Sequence, residues 1–230
     1  MREITPLLPE NFYLISNRGI NGEDIIKESR NYYYFFKQYN KYAVKIADTY
    51  AYCLLRNEFK FLIRVKKPEK KDVIDINFTD SDKKVINIIS KLKFDPSLQL
   101  SHFFNSYAQA INKSIKRTGG LFESPFRREL IKTEKELKEA MSEIHFYSQK
   151  SGISSDYRHY SFSSYSHIIK ETVKTLTAYR ELFGNKLPFC QNAVRVCNLN
   201  VKAVLELFGG IKEFIKYHDE YSNRTFKKQP

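Results

Sequence analysis

The clearest pattern in the chain lies at residues 58–66, where Phe59, Phe61, Ile63 and Val65 alternate with Glu58, Lys60, Leu62, Arg64 and Lys66. A period of two is that of a strand whose successive side chains point to opposite faces. One face is therefore expected in the core, and the other presents Glu58, Lys60 and Arg64 for any chemistry the strand performs. Thr49 to Leu55 reads as a preceding strand, with Arg56-Asn57 as the tight turn between the two. A further short strand is expected at Asn11 to Ser16, which is rich in aromatic and β-branched residues. Asn17-Arg18-Gly19 and Asn21-Gly22 stop it, which leaves Arg18 in a loop.

Elsewhere the apolar spacing is helical. Tyr32, Phe35, Phe36, Tyr39, Val44 and Ala47 predict a helix between Asn31 and Asp48, and a charged, proline-containing connector at Lys66 to Lys71 leads to another near Asp82 to Leu92. Between Ser101 and Arg117 the residues Phe104, Tyr107, Ala108, Ile111 and Ile115 make one stripe, with Gly119-Gly120 as its stop. The wet face of that helix carries Asn105, Asn112, Lys113, Lys116 and Arg117. Leu121 to Ile131 is extended and contains Pro125 and the doublet Arg127-Arg128. Thr133 and Glu136 then form a capping box that opens a helix with Leu137, Met141 and Ile144 inward. Beyond Gly152 the pattern weakens. Phe162 to Tyr165 and Leu207 to Gly210 read as turns, the second opening a last helix with Ile211, Phe214 and Ile215 on one face, and Arg224 to Pro230 reads as a frayed basic tail. This order of strands and helices predicts an α+β sandwich with an antiparallel sheet.

Composition narrows the partners. A hydrophobic content of 42% with only 8 Gly and 7 Pro excludes a disordered or collagen-like chain. An excess of 39 Lys+Arg over 26 Asp+Glu, a net charge of +13, favours a polyanionic partner, because each phosphate neutralised releases counterions. No run approaches the roughly 18 apolar residues of a membrane span, and Met1-Arg2-Glu3-Ile4 leads into Pro6 and Pro9 instead of an apolar signal core. A cytoplasmic protein with no membrane partner is expected. Cys53, Cys190 and Cys197 lack the close pairing of a structural zinc site and read as reduced thiols; the five histidines are too scattered for a local two-histidine clamp.

Taken in order, several of these segments resemble the single-tyrosine HUH transposases, and within them the REP-associated tyrosine transposase branch. The matching pieces are the opening strand with Asn17-Arg18-Gly19, the hairpin from Tyr50-Ala51-Tyr52-Cys53-Leu54 into Phe61-Leu62-Ile63-Arg64, and Tyr107 to Arg117. They continue with Gly120-Leu121-Phe122-Glu123, Pro125-Phe126-Arg127-Arg128, Ile144-His145, Gly152, Phe162-Ser163-Ser164-Tyr165 and Phe208-Gly209-Gly210. The resemblance implies an RRM-like, ferredoxin-like antiparallel sheet with packed helices over residues 1–168, a C-terminal helical extension over 169–230, a homodimer, and DNA as partner in hairpin or single-stranded form. It also implies a cytoplasmic, nucleoid-associated location. In the family a magnesium or manganese ion held by two histidines polarises the scissile phosphate, and a tyrosine attacks it to form a covalent ester.

This chain departs from that pattern at the reacting atoms. Where the family places its two histidines after the turn asparagine, Asn57 is followed by Glu58-Phe59-Lys60, and where it places the tyrosine before Ile-His, this chain has Glu143. An ammonium at position 60 opposes cation binding, so no metal cofactor is expected, and no catalytic residue stands intact. Tyr147, one helical turn beyond Glu143, is the candidate for a displaced nucleophile. The retained basic residues Arg18, Lys113, Lys116, Arg117, Arg127 and Arg128 are the candidate DNA contacts. The expected function is a transposase-derived DNA-binding protein without strand cleavage. The alternatives are an active transposase or nuclease using altered residues, and a domesticated module that binds RNA or protein.

Overall fold

The structure, a computed structural model, describes residues 5–68, 94–173 and 198–226. Strands β1 (Phe12–Arg18), β2 (Ala47–Leu54), β3 (Glu58–Val65) and β4 (Arg127–Ile131) form one sheet in the order β2-β3-β1-β4, with every neighbouring pair antiparallel. Helix α1 (Ser29–Ala43) joins β1 to β2, and α2 (Pro96–Ser114) precedes β4. Strand, helix, strand, strand, helix, strand in this spatial order is the ferredoxin-like arrangement, so the expected α+β fold is present. Helices α3 (Glu134–Lys150), α4 (Ser164–Thr172), α5 (Val201–Phe208) and α6 (Ile211–Phe226) follow.

The alternation at residues 58–66 explains the two layers of core. Phe59, Phe61, Ile63 and Val65 share their face of β3 with Tyr13 and Ile15 of β1, and α1 and α2 cover it with Phe35, Phe36, Tyr39, Phe103, Phe104 and Tyr107. Tyr39 stacks on Phe61 at a ring separation of 4.0 Å and bonds the Thr49 hydroxyl at 2.7 Å. Aromatic rings buried in this way contribute about 2–3 kcal/mol each and fix the helices by ring geometry as well as by area.

The opposite face of the sheet differs from the expectation of a charged, open surface. Tyr50, Ala51, Cys53 and Leu62 on that face are buried beneath Leu137, Met141, Ile144 and Phe146 of α3, together with Tyr165, Ile168, Val204, Phe208 and Phe214 from α4 to α6. The sheet is thus covered on both sides. Lys60 lies under α3, and only 17% of its side chain remains exposed.

Several boundaries move for local reasons. Arg18 is the last residue of β1, paired in register with Glu58, and is not in the following loop. The first helix ends at Ala43, and Ala47 and Asp48 belong to β2. Helix α2 begins five residues before the expected Ser101, because Asp95 caps the amide of Leu98 and Pro96 suits the first turn. The capping box of Thr133 and Glu136 is present. Ser163, expected in a turn, instead caps α4, and Gly209, at φ +84°, ends α5 in the left-handed conformation that favours glycine. The helix expected at 82–92, Cys190, Cys197 and residues 227–230 lie outside the described residues.

Candidate functional site

Helix α3 lies across β2 and β3, so residues one helical turn apart on its lower face meet outward-pointing residues of the strand. Lys60 Nζ is 2.8 Å from Glu143 Oε1. The same ammonium stands 4.0 Å from the ring centre of Tyr147, within cation–π range. The Glu58 carboxylate lies beside the Tyr147 hydroxyl; burial first, and that carboxylate next, push the hydroxyl's ionisation upward. Glu58, Lys60 and Glu143, singled out by the resemblance, and Tyr147, the candidate displaced nucleophile, therefore converge on one spot between β3 and α3.

The chemistry of this spot is that of a closed ion pair. Lys60 is engaged by one carboxylate and one ring, and Tyr147 is held as a protonated phenol, a poor nucleophile. Cys53, across from Lys60 in the β2–β3 register, is fully buried, and burial pushes its thiol upward, away from the reactive thiolate. These residues do not fit the divalent cation that the resemblance implies, because an ammonium paired with Glu143 takes the place where the cation's charge would sit. Among the described residues no cluster of three or more His, Cys, Asp or Glu side chains could hold a metal ion.

The candidate DNA contacts divide into two groups. Arg18 and Arg127 both pair with Glu123, the latter at 3.5 Å. Glu123 is in turn tied to β1, its amide bonding the Arg18 carbonyl and its carbonyl accepting from Asn17 Nδ2 at 3.0 Å. Arg117 donates to the carbonyl of Gly120 at 2.8 Å and pairs with Glu23 at 3.2 Å. Lys113 and Lys116 are exposed at the C-terminal end of α2. These five residues gather where the loop after β1 runs beside the loop after α2. Gly19 lets the loop after β1 fold tightly on itself, since a Cβ there would lie 2.0 Å from the Glu23 carbonyl oxygen.

Arg128 is placed apart from them. Its guanidinium bonds Ser97 Oγ at 2.8 Å in the first turn of α2 and lies 4.0 Å from the Phe126 ring centre, the other end of the helix from Lys113. Burial pulls its ionisation downward. Replacing it removes packing as well as charge: Arg128→Ala is expected to cost about 1–2 kcal/mol in urea denaturation, whereas Arg127→Ala, with a largely exposed side chain, is expected to cost under about 1 kcal/mol. Equal losses would mean that Arg128 is not anchored in this way.

One set of polar residues escaped the reading of the sequence. His145 of α3, Ser164 of α4 and His218 of α6 are buried and joined in a chain. His218 Nδ1 donates to the Phe214 carbonyl at 2.7 Å, so in the neutral ring its Nε2 accepts from His145 Nδ1 at 2.8 Å. His145 Nε2 then accepts the Ser164 hydroxyl at 2.7 Å, and Ser164 Oγ accepts the amide of Tyr52 at 2.8 Å. Ile144-His145 and Ser163-Ser164-Tyr165, two of the pieces that carry the resemblance, thus meet in the core and tie three helices to β2. His145 and His218 are 73 residues apart, and no local spacing could have announced the pair.

No known family's sequence profile matches the chain, and no curated protein matches it by sequence. Among solved structures, a REP-associated tyrosine transposase bound to a REP hairpin is similar at 9% identity and a TM-score of 0.48, over 87% of this chain and 96% of that one. A bacterial tRNA(His) guanylyltransferase-like protein in complex with GTP is similar at 12% identity and a TM-score of 0.33, over 82% of this chain and 76% of that one. Among the described residues no helix is long and apolar enough to cross a membrane.

Proposed function

We propose that the protein is a transposase-like DNA-binding protein that takes hairpin or single-stranded DNA and leaves the strand uncut. The observation that carries the reading is the Lys60–Glu143 pair at 2.8 Å. It sits where the resemblance would bring together a metal ion and a tyrosine, and it supplies neither a Lewis acid nor a nucleophile. The binding half rests on the net charge of +13 and on the basic residues around the β1 and α2 loops. Tyr147 gives little support to an altered enzyme, because burial beside Glu58 keeps its hydroxyl protonated and its ring packs against Lys60.

The test is anisotropy of a labelled DNA hairpin titrated with protein between about 50 and 200 mM salt. Affinity is expected to fall steeply and linearly in log–log form, and Arg127→Ala is expected to reduce the slope by about 0.7–0.9, the share of one phosphate contact. Absence of binding at the lowest salt would overturn the proposal. An unchanged slope in Arg127→Ala would remove that residue from the interface.

A further inference from the structure

We infer that the outer surface of α1 and α2, on the side of the sheet away from the Lys60–Glu143 pair, is a second nucleic-acid surface that takes a single strand. The inference rests on the DNA-binding reading and adds to it a location that none of the candidate contacts at the end of β1 or on β4 occupies. Helix α1 has 15 residues and α2 has 19, and neither contains an aspartate or glutamate. At the chain's average of 26 acids in 230 residues, that much helix would carry about four. The charges it does carry are Arg30, Lys37, Lys41 and Lys113.

These charges are arranged, not scattered. Arg30, Tyr33, Lys37 and Lys41 recur at intervals of three and four and are all exposed, so they form one stripe about 16 Å long on α1. Ring contacts of Phe35 with Tyr107, Tyr39 with Phe103 and Tyr42 with His102 show α2 running antiparallel beside it. Lys113 and Lys116 therefore lie towards the Arg30 end, which makes the surface continuous with the end of β1, where Arg18 lies, and with the loop that carries Arg117. Arg30 pairs with the exposed Glu28 at 2.6 Å, and among the described residues Lys37 and Lys41 have no carboxylate within ion-pair distance.

Tyr33 selects the kind of strand. It is 59% exposed, and its ring is braced edge-on by Phe162, which itself stacks on Tyr32 at 3.7 Å. A rigid, exposed aromatic ring within a row of cations offers a stacking platform for an unpaired base, with the cations tracking its backbone. A duplex would present its phosphates to the stripe but no base to Tyr33.

The test uses the full chain and a labelled oligothymidylate, read by anisotropy over a salt series. Lys37→Gln with Lys41→Gln is expected to reduce the salt slope by roughly 1.4, two single-strand contacts at about 0.7 each. Tyr33→Ala is expected to weaken binding to the single strand roughly tenfold at fixed salt and to leave a blunt duplex of the same length unaffected. All three side chains are exposed, so unfolding is checked simply by urea midpoint. If both variants bind like the parent while Arg127→Ala weakens binding, this surface is idle and the proposed function stands. If the parent binds no oligonucleotide at low salt, both fail together.

Discussion

Lys60→Glu is expected to destabilise the fold by about 2–4 kcal/mol, and Glu143→Lys added to it is expected to restore much of that loss. The single change sets a third carboxylate beside Glu58 and Glu143 under α3, and it removes the cation held against Glu143 at 2.8 Å and the Tyr147 ring at 4.0 Å. Exposure decides which partner matters. Lys60 is only 17% exposed and cannot turn to water, whereas Glu143, at 42%, can. Glu143→Ala alone leaves the covered ammonium with the Tyr147 ring beside it and is therefore expected to cost about 1–3 kcal/mol. Urea denaturation of the three variants reads these differences directly. A Lys60→Glu protein as stable as the parent would mean that α3 does not press on β3 at this point, and the convergence of positions 58, 60, 143 and 147 would be lost with it.

Acid is expected to unfold the protein through the buried histidine pair. Burial lowers the ionisation of both His145 and His218, the latter to about 4, against an ordinary value near 6.5. Between those values an unfolded chain binds a proton that the native core refuses, so stability is complete above pH 6.5 and declines as the pH falls towards 4. For His218 alone the decline reaches about 3 kcal/mol, and His145 adds in the same direction. His218→Leu is expected to lower stability at pH 7 by about 1–3 kcal/mol, because the His145 donor loses its acceptor. It is also expected to flatten the acid dependence, so that the two curves approach each other near pH 4. A parent midpoint that does not change between pH 7 and 5 would mean that the two rings are not buried as a neutral pair.

What could be read in the sequence was whatever depends on neighbours along the chain. The period of two at residues 58–66, the capping box of Thr133 with Glu136 and the stripe of Phe104, Tyr107 and Ile111 each reappear as β3, α3 and α2. What could not be read depended on elements meeting from far apart. Glu58, Lys60 and Arg64 look like a solvated face because charge at alternate positions is usually wet; only the α3 layer, more than seventy residues later, makes Lys60 a covered residue. Leu62, apolar on that same face and fully buried, was the local trace of the covering. Phe162 to Tyr165 has the composition of a turn, yet Ser163 uses its hydroxyl to start a helix. The site shows the same division. Positions 58, 60 and 143 were singled out by resemblance, and their facing each other is a matter of geometry. Arg128 looked equivalent to Arg127 because they are adjacent, although adjacent strand residues point to opposite faces.

The most direct measurement is the fate of a hairpin after binding. A labelled DNA hairpin with single-stranded flanks is incubated with the full chain and manganese, and then resolved in parallel on a native gel and on a denaturing gel that retains covalent protein–DNA adducts. The expected result is a shifted band on the native gel and, on the denaturing gel, only intact, protein-free oligonucleotide. A nicked product together with an adduct that disappears in Tyr147→Phe would contradict it, for a closed Lys60–Glu143 pair and a phenol kept protonated beside Glu58 would then have to open into a working catalytic centre.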